Sequence, residues 1–432
     1  MSMKHVIVIG GGFAGLNLVN RLARDKEIRI TLVDRNNYNF FPPLLYQVAT
    51  GFLEPSNISY PFRKMLRKYP NITVRMAELL RILPDQDTVV LSTGELKYDH
   101  LIIATGVATN YFGMDNIREA ALPMKTLGDA LRLRNHLLEQ VERASEELSD
   151  RERAKYLTVV IVGSGPTGVE LAGMLANMQR DILYRDHPGL KGSTTLPKII
   201  MVDGNARVLN AMSRQASNYG LKSLSRMGVD IRFGLIVKDY TDGNVIFSNG
   251  EVIETKTLIW AAGVAGQRFE GLPVDVFGAG SRIKVDPFNR VIGTNNIYAI
   301  GDTCLQTHEG KYPHGHPQMA QIAIQQGRNL AHNLRLKAGR EQRSFLYFNK
   351  GSMAIIGRNK AVVDLPRDFH FQGLIAWLTW LGVHLVSLMR RRNRITTFFN
   401  WFIAYVTRDQ SLRMIIQPSK KETAVSPLRK TN

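Results

Sequence analysis

The chain has 432 residues and carries 56 Lys and Arg against 37 Asp and Glu, a formal net charge of +19. Hydrophobic residues make up 44% of it, which favours a folded protein of two or three domains over a disordered chain. The single cysteine, Cys304, excludes an internal disulfide, a dithiol redox pair and a cysteine zinc site, and we interpret it as a small packed hydrophobic residue.

The first predicted element is a buried parallel strand over Val6–Ile9, because this apolar run is too short for the core of a signal segment and ends in glycines rather than a cleavage site. A helix is predicted over Leu16–Arg24, and the turn before it carries Gly10, Gly12 and Gly15. This spacing is typical of a dinucleotide-binding turn, in which glycines permit a tight bend and phosphate rests on a helix N-terminus. The next strand, Ile28–Val33, ends at Asp34, which is placed to accept hydrogen bonds from a ribose.

The same pattern recurs roughly 150 residues later in the chain. A strand over Leu157–Val162 leads into Gly163, Gly165 and Gly168, and a strand over Ile199–Val202 ends at Asp203. The extra length before Asp203 falls in Gln179–Leu196, which we interpret as an insertion. An acid at Asp203 repels a 2′-phosphate and predicts NADH rather than NADPH, although Arg207 is a candidate phosphate ligand.

The rest of the chain continues the alternation of strands and helices. A charged stretch over Leu131–Lys155 predicts a connecting helix and linker. His314 with His316 is too small a set to predict a metal site. The further predicted elements are strands around Val229–Lys238, Val245–Phe247, Leu258–Trp260 and Asn295–Asp302, and a helix over Gln318–Arg335.

Two dinucleotide folds in one chain imply two dinucleotides. The economical pair is a flavin that stays bound and a nicotinamide that comes and goes. The reduced flavin must then pass its electrons to an acceptor other than a disulfide, because the chain has one cysteine.

The chain resembles the flavoprotein superfamily with two dinucleotide-binding domains and, within it, type II (single-subunit, non-pumping) NADH:quinone oxidoreductase. The superfamily signals are the paired glycine motifs with Ala104, Thr105, Gly106 and Ile300-Gly301-Asp302. Narrower matches are the segments Phe41–Ala49, Ala320–Gly327 and Lys350–Ala354. The resemblance implies an α/β fold with two Rossmann-like domains and a C-terminal membrane-binding helical segment, and transfer of hydride from NADH to FAD and of electrons to a lipid quinone.

The resemblance also implies roles for individual residues. It places Asp302 on the flavin ribityl chain, Gln321 beside the isoalloxazine at the quinone tunnel, and Lys350 near the flavin. By helical spacing alone, Gln325 shares the face of Gln321, so the pair could orient a quinone carbonyl. Without the resemblance, these three side chains would be interpreted as ordinary surface residues.

Glu170 has two interpretations. Alone, it is a carboxylate stabilised by the dipole of the second glycine helix, whereas the resemblance places it near the flavin, where nicotinamide docks. Asp34 and Asp203 stand where the family commonly has glutamate. The implied FAD-binding residues are Gly10, Gly12, Gly15, Asp34, Ala104, Thr105, Gly106, Asp302 and Gln321. The implied NADH-binding residues are Gly163, Gly165, Gly168, Glu170, Asp203 and Gly263.

The expected domain organisation is discontinuous, because Gly301 and Asp302 must return to the first dinucleotide. We predict an FAD domain over 1–117 and 272–345, an NADH domain over 118–271, and a membrane-attachment region over 346–432.

The C-terminal region combines apolar and basic stretches. Phe369–Met389 contains no charged residue and is just long enough to span a bilayer, whereas Ile395–Thr407 is apolar and aromatic but too short. Residues 390–432 hold ten Lys and Arg against two Asp and Glu. A single span with its arginines inside would put the catalytic body outside, away from NADH. We therefore expect monotopic attachment to an anionic membrane surface, on the cytoplasmic face of a bacterial cell membrane.

Three alternatives stay open at this point. The C-terminal helix could instead be buried or form a homodimer interface. The enzyme could be a soluble NADH-dependent reductase of ferredoxin, nitrite or dyes. The charge also motivates a nucleic-acid-binding protein, but we expect no nucleic acid because the charge accompanies an aromatic stretch rather than a nucleic-acid module.

Overall fold

The computed structural model describes residues 3–191, 195–337, 339–409 and 412–416. Of the ten basic residues after position 389, Lys420, Lys421, Arg429 and Lys430 lie outside the described residues.

The first large sheet has five parallel strands and contains the first glycine motif. Its strands, in spatial order, are Ile297–Ala299, His100–Ile103, Lys4–Ile9, Ile28–Asp34 and Ile72–Met76. Nearly all their aliphatic side chains are buried, as expected for a parallel sheet covered on both faces. The strand Ile297–Ala299 joins this sheet from almost 200 residues beyond its neighbour His100–Ile103.

Two helices pack against each other beside this sheet: the first glycine helix, Phe13–Leu22, and the glutamine helix, Ala320–Leu334. Gly327 permits their close approach, because a side chain there would collide with the carbonyl oxygen of Ala14. The contact brings the glutamine helix next to the first glycine turn.

The second large sheet repeats this architecture around the second glycine motif. Its parallel strands, in spatial order, are Leu122–Pro123, Thr257–Trp260, Thr158–Val162, Lys198–Asp203 and Val229–Phe233. The second glycine helix is Pro166–Met178, and a further helix spans Arg214–Arg226. The predicted strand Val229–Lys238 is shorter than expected, since a separate strand begins at Val237.

Smaller sheets and helices surround these two units. Three-stranded antiparallel sheets are formed by Leu79–Leu83, Thr88–Leu91 and Gly94–Lys97, by Val237–Thr241, Asn244–Phe247 and Val252–Glu254, and by Ser352–Gly357, Lys360–Leu365 and Phe369–Gly373. Two-stranded pairs are Tyr38–Phe40 with Ser59–Pro61, Ala108–Thr109 with Val264–Ala265, and Ile283–Lys284 with Cys304–Leu305. Short helices are Leu45–Ala49, Pro55–Ile58, Phe62–Leu66, Asp115–Ala120 and Tyr184–Asp186.

The predicted connecting helix and linker over Leu131–Lys155 contain a break in the helical structure. Two helices occupy this region, Leu127–Glu146 and Asp150–Leu157. The break has a local cause: the Ser149 side chain accepts a hydrogen bond from the backbone N–H of Glu152 and so caps a new helix.

The insertion Gln179–Leu196 folds as a π-helical turn over Gln179–Leu183 followed by short helical turns. Its Leu183 and Leu190 pack against Ala144 and Leu157 of the connecting helices. Two ion pairs join it to the C-terminal segment, Arg185 with Asp409 and Asp186 with Arg413, both at 2.7 Å. Residues 192–194 lie outside the described residues.

The stretch Phe369–Met389 is not one helix. Phe369–Gly373 is a strand, and Gly373, at φ +81°, turns the chain into the first C-terminal helix, Leu374–Ser387. The second C-terminal helix is Arg391–Thr407. Within the described part of the chain, no helix combines the length and apolar character needed to cross a membrane.

Both C-terminal helices have a buried side and an apolar exposed side. Trp380 and Trp401, with ring centroids 5.9 Å apart, pack into the protein core. The exposed apolar side chains of the two helices are Leu374, Ile375, Leu378, Val383, Val386, Ile395, Phe398, Phe399, Phe402, Ile403, Tyr405 and Val406.

Candidate functional site

The first glycine turn has the geometry of a phosphate-binding loop. Gly10 has φ +104°, and a side chain on Gly15 would collide with the carbonyl oxygen of Gly10. A Cβ on Gly12 would meet no heavy atom within 4 Å, so this residue borders open space at the N-terminus of the first glycine helix. The residues present therefore fit a dinucleotide pyrophosphate at this end of the helix.

The second glycine turn matches the first closely. Gly163 also has φ +104°, Gly168 abuts the carbonyl oxygen of Gly163, and Gly165 faces open space. The second glycine helix begins directly after Gly165, with Pro166 at its first position. Both turns thus fit a dinucleotide by the same steric arrangement.

In each unit, an aspartate ends the strand that follows the glycine helix and contacts the glycine turn. Asp34 accepts hydrogen bonds from the backbone N–H groups of Gly11 and Asn36, at 2.7 and 2.8 Å. Asp203 accepts from the N–H groups of Ser164 and Asn205, both at 2.7 Å. Each acid therefore braces its own glycine turn, a role that the sequence analysis did not assign.

The two carboxyl groups differ in pKa. Burial raises the pKa of Asp34, although its hydrogen bonds from Gly11 and Asn36 oppose the shift. Burial acts in the same direction on Asp203, but hydrogen bonds from Asn205 and Ser164 together hold the pKa of Asp203 below its usual value. Asp203 is therefore a carboxylate at neutral pH.

Arg207, the candidate phosphate ligand, binds protein oxygens. Its guanidinium donates to the side-chain and main-chain oxygens of Asn210, at 2.8 and 2.7 Å.

A cavity of about 2040 Å³ runs from the first glycine turn to the first C-terminal helix. The predicted site residues that line it are Gly10, Gly12, Asp34, Ala104, Thr105, Gly106, Glu170, Gly263, Asp302, Gln321, Gln325 and Lys350. The predicted residues that do not line it are Gly15, Gly163, Gly165, Gly168 and Asp203. Gly15 lies beneath the turn, and the others belong to the second unit, which contributes Pro166 and Thr167 to the wall.

Glu170 is buried, and its carboxyl oxygen lies 3.4 Å from the backbone nitrogen of Ile355. Burial raises its pKa to about 8, and the hydrogen bond from Ile355 opposes this only in part. The interpretation of Glu170 as a carboxylate stabilised by the helix dipole is therefore wrong. The helix begins at Pro166, so Glu170 lies beyond the first turn, where the dipole is weak and desolvation dominates.

The two glutamines of the glutamine helix hold the segment 347–351 against the cavity. Gln321 donates to the carbonyl of Gly351 at 2.6 Å and accepts from the backbone N–H of Lys350 at 3.2 Å. Gln325 forms a two-way pair with the backbone of Phe348, at 2.9 and 3.0 Å. Both amides therefore bind protein backbone, and each retains a second N–H that these bonds do not use.

Lys125 is a cavity residue that the sequence analysis missed. It lies beside Asp302; burial lowers the pKa of Lys125 and raises that of Asp302, while each charge opposes the shift of the other. Its position is fixed by the capping box of Thr126 and Asp129, since Asp129 accepts hydrogen bonds from the backbone of both Lys125 and Thr126. That capping pattern is legible in the sequence and could have located Lys125.

A second missed group is a buried chain of hydrogen bonds. The indole N–H of Trp401 donates to Gln47 at 2.7 Å, and Gln47 donates to the hydroxyl of Tyr46 at 3.0 Å. Tyr46 lines the cavity together with Glu170. The second C-terminal helix is thereby connected to the cavity wall.

The two weaker sequence motifs have structural roles. Cys304 is buried, as expected for a packed residue, and burial raises its pKa to about 12. His316 is also buried and lies 2.9 Å from a carboxylate oxygen of Glu309. Across the described ranges, no group of three or more His, Cys, Asp and Glu is arranged to hold a metal ion.

Two nucleotide-binding units that share one cavity define a class of protein, the pyridine-nucleotide-linked flavoprotein oxidoreductases. Consistent with this, the profile of the pyridine nucleotide-disulphide oxidoreductases matches residues 4–327, and that of the NDH2 C-terminal domain matches residues 349–409. The type II NADH:quinone oxidoreductase Ndh of Mycobacterium tuberculosis is 34% identical over 98% of this chain and 93% of its own length. The NdhA protein of the same organism is 34% identical over 94% and 87%.

A solved structure shares the fold of this chain. The structure of NDH2 from Plasmodium falciparum in complex with NADH superposes with a TM-score of 0.85 at 22% identity, covering 96% of this chain and all of that one. The chain belongs to the type II NADH:quinone oxidoreductase family, which confirms the resemblance drawn from its motifs.

Proposed function

We propose that this protein oxidises NADH and transfers the electrons to a lipid quinone, without proton pumping. The observation that carries the proposal is the single cavity that joins the first glycine turn, Glu170 and the first C-terminal helix. The relatives named type II NADH:quinone oxidoreductase, which match nearly the whole chain, support the same activity. Neither a soluble reductase of another acceptor nor a nucleic-acid-binding protein has comparable support.

FAD is the cofactor that the first site fits. The first glycine turn would hold its pyrophosphate, and Asp34 and Asp302 lie on the cavity wall within the same unit. When bound, FAD accepts hydride from NADH and releases electrons to quinone. The chain's own contribution is to bind the flavin against this cavity and to place Glu170, Lys125 and Lys350 along its wall.

NADH is proposed to bind at the second glycine turn. Gly263, which lines the cavity at φ +87°, and Glu170 mark the side from which nicotinamide would reach the flavin. The ionised carboxylate of Asp203 would accept hydrogen bonds from the ribose and repel a 2′-phosphate. The same proposal divides the chain into an FAD domain, 1–117 with 272–345, an NADH domain, 118–271, and a membrane-attachment region from 346.

The protein is proposed to bind peripherally to the cytoplasmic face of a bacterial membrane. The exposed apolar side chains of the two C-terminal helices lie next to Arg391, Arg392 and Arg394, a combination that suits the interface of an anionic bilayer. Burial of these faces in a homodimer is the competing use of the same surface.

Separate measurement of the two half-reactions tests the acceptor side of the proposal. In a Gln321→Ala variant, the backbone of Lys350 and Gly351 loses its support in the cavity wall. We expect reoxidation of the reduced enzyme by quinone to slow about tenfold or more, with reduction by NADH unchanged, in stopped-flow absorbance. An Asn329→Ala variant is the matched control. Asn329 lies on the same helix as Gln321 and donates to the backbone carbonyl of Arg343, but it does not line the cavity. Equal slowing of both half-reactions would refute the assignment.

A further inference from the structure

The first C-terminal helix presents one polar face to the cavity. Its cavity-lining residues are Thr379, Val383, His384 and Ser387. Spacings of four and eight residues place Thr379, Val383 and Ser387 on one helix face, with His384 beside them. The aromatic and aliphatic side chains of Phe41, Tyr46 and Met353 line the same cavity.

Every polar side chain on this face uses its hydrogen within its own helix. The hydroxyl of Thr379 donates to the carbonyl of Ile375 at 2.9 Å, and that of Ser387 donates to the carbonyl of Val383 at 2.6 Å. The ring nitrogen Nδ1 of His384 lies 2.8 Å from the carbonyl oxygen of Trp380. A carbonyl oxygen can only accept, so Nδ1 carries the hydrogen and Nε2 carries a lone pair.

The imidazole of His384 is also held in a fixed orientation. It stacks on the indole of Trp380, with ring centroids 3.9 Å apart and planes inclined by 19°, and the ring of Phe41 packs edge-on at 6.1 Å. Burial lowers the pKa of His384 to about 4, although the hydrogen bond to Trp380 opposes this shift. The ring is therefore neutral at physiological pH, and among the described residues Nε2 has no hydrogen-bond partner.

The chemistry of this face selects between the two redox forms of a quinone. An oxidised quinone ring offers only carbonyl acceptors, which cannot pair with the acceptor atoms of Thr379, His384 and Ser387. A hydroquinone offers two hydroxyl donors, which can. Donors lie elsewhere in the cavity, at the ammonium group of Lys350 and the amide of Gln321.

We propose that Nε2 of His384 accepts a hydrogen bond from a hydroxyl of bound hydroquinone, so that this helix face binds the reduced ring in preference to the oxidised one. The inference rests on the proposed function and adds to it a residue that determines which redox form is bound. His384 is a binding residue in this role, and no proton is transferred to it.

Two variants separate the two nitrogens of the ring. In His384→Asn, the shorter amide can still donate to the carbonyl of Trp380 but places no acceptor at the position of Nε2. In His384→Gln, the longer amide carries its oxygen toward that position. Equilibrium dialysis of the flavin-loaded enzyme, without NADH and without oxygen, gives the dissociation constants of a short-chain ubiquinone and of its hydroquinone.

We expect His384→Asn to weaken hydroquinone binding about three- to tenfold, the range of one hydrogen bond, with quinone binding changed less than twofold. His384→Gln should stay within about twofold of the wild type for both ligands. Unchanged hydroquinone binding in His384→Asn, or equal weakening of both ligands, overturns the proposal. A wild-type enzyme that binds neither ring and does not reduce the quinone with NADH identifies failure of the proposed function, and the inference falls with it.

Discussion

At the scale of single residues, burial rather than a charged neighbour sets the protonation of Glu170. Its pKa of about 8 lies well above the ordinary value of 4.5 for glutamate, so the folded protein retains a proton on this side chain at neutral pH. An unfolded chain releases that proton near pH 4.5. Stability contributed by the neutral carboxyl is therefore complete at low pH and decreases as the pH rises from about 4.5 to about 8.

A Glu170→Gln variant tests this protonation state. The amide is neutral at every pH, so we expect the wild-type protein to lose stability relative to the variant between pH 5 and pH 8, by at most ~1.4 kcal/mol per pH unit. Urea unfolding of the flavin-loaded proteins at pH 5, 6.5 and 8 measures the difference. A difference that stays constant across this range would show that Glu170 is already ionised at pH 5.

The proposed NADH site makes nicotinamide specificity depend on Asp203. Replacing it by serine removes a negative charge from the place where a 2′-phosphate would lie, so we expect kcat/KM for NADPH relative to NADH to rise about tenfold. Asp203 also braces the turn through Ser164, whose hydroxyl donates to it at 2.7 Å. Ser164→Ala is therefore the matched control: it removes one bracing bond but keeps the charge. The same change of specificity in both variants would assign the effect to the turn and not to charge.

The two acids and Glu170 show how far residue-scale prediction extends. The glycine turns and Asp203 could be predicted because their function depends on local backbone geometry, which the spacing encodes. The pKa of Glu170 could not, because it depends on burial in the folded chain, where the carboxyl meets the backbone N–H of Ile355 from 185 positions away.

At the scale of elements, the C-terminal helices expose apolar side chains that water solvates poorly. Phe398 and Phe402 are 50% and 58% exposed and lie one helical turn apart. Replacing both with serine should weaken binding to anionic vesicles about tenfold or more, since each half-exposed phenyl ring contributes roughly 1 kcal/mol when it enters the interface.

The control for this variant is Leu148→Ser, which removes a 93% exposed leucine from the connecting region, outside the C-terminal helices. Vesicle sedimentation measures binding, and size-exclusion chromatography without lipid measures self-association. Unchanged vesicle binding together with loss of a dimer would assign the helix face to a protein interface instead.

The second C-terminal helix is anchored to the core by the bond from Trp401 to Gln47. A Trp401→Phe variant leaves the buried oxygen of Gln47 unpaired, so we expect a loss of about 1–3 kcal/mol in the free energy of unfolding. Trp377→Phe is the matched control, because Trp377 is a partly buried tryptophan of the neighbouring helix and packs on Tyr405. Equal losses in the two variants, in urea unfolding, would mean that ring volume and not the hydrogen bond is responsible.

Element prediction succeeded where a single local pattern decided the structure. The strand–turn–helix order around the first glycine motif is confirmed, with a helix that begins at Phe13, three residues earlier than expected, and the same order recurs around the second motif. The prediction over Phe369–Met389 was less successful, because its first five residues pair with Lys360–Leu365. The alternation of Phe369 and Phe371 with His370 and Gln372 is a strand pattern, but it is too short to be separated from the apolar run that follows without the partner strand.

At the scale of the whole molecule, the site is assembled from distant parts of the chain. The strand Ile297–Ala299 pairs with His100–Ile103, which carries Asp302 to the wall of the cavity near the first glycine turn. The first C-terminal helix closes the other end of that cavity. Composition and periodicity could not predict this assembly, because strand order depends on contacts across hundreds of residues; family resemblance could, because it carries the topology with it.

The proposed function depends on a resident flavin that NADH reduces and a quinone reoxidises. An anaerobic spectrum of the purified protein tests it most directly, recorded before NADH is added, after one equivalent of NADH, and after a short-chain quinone follows. We expect a yellow protein that NADH bleaches and quinone recolours. A protein that stays colourless after incubation with FAD, or whose flavin NADH does not bleach, contradicts it.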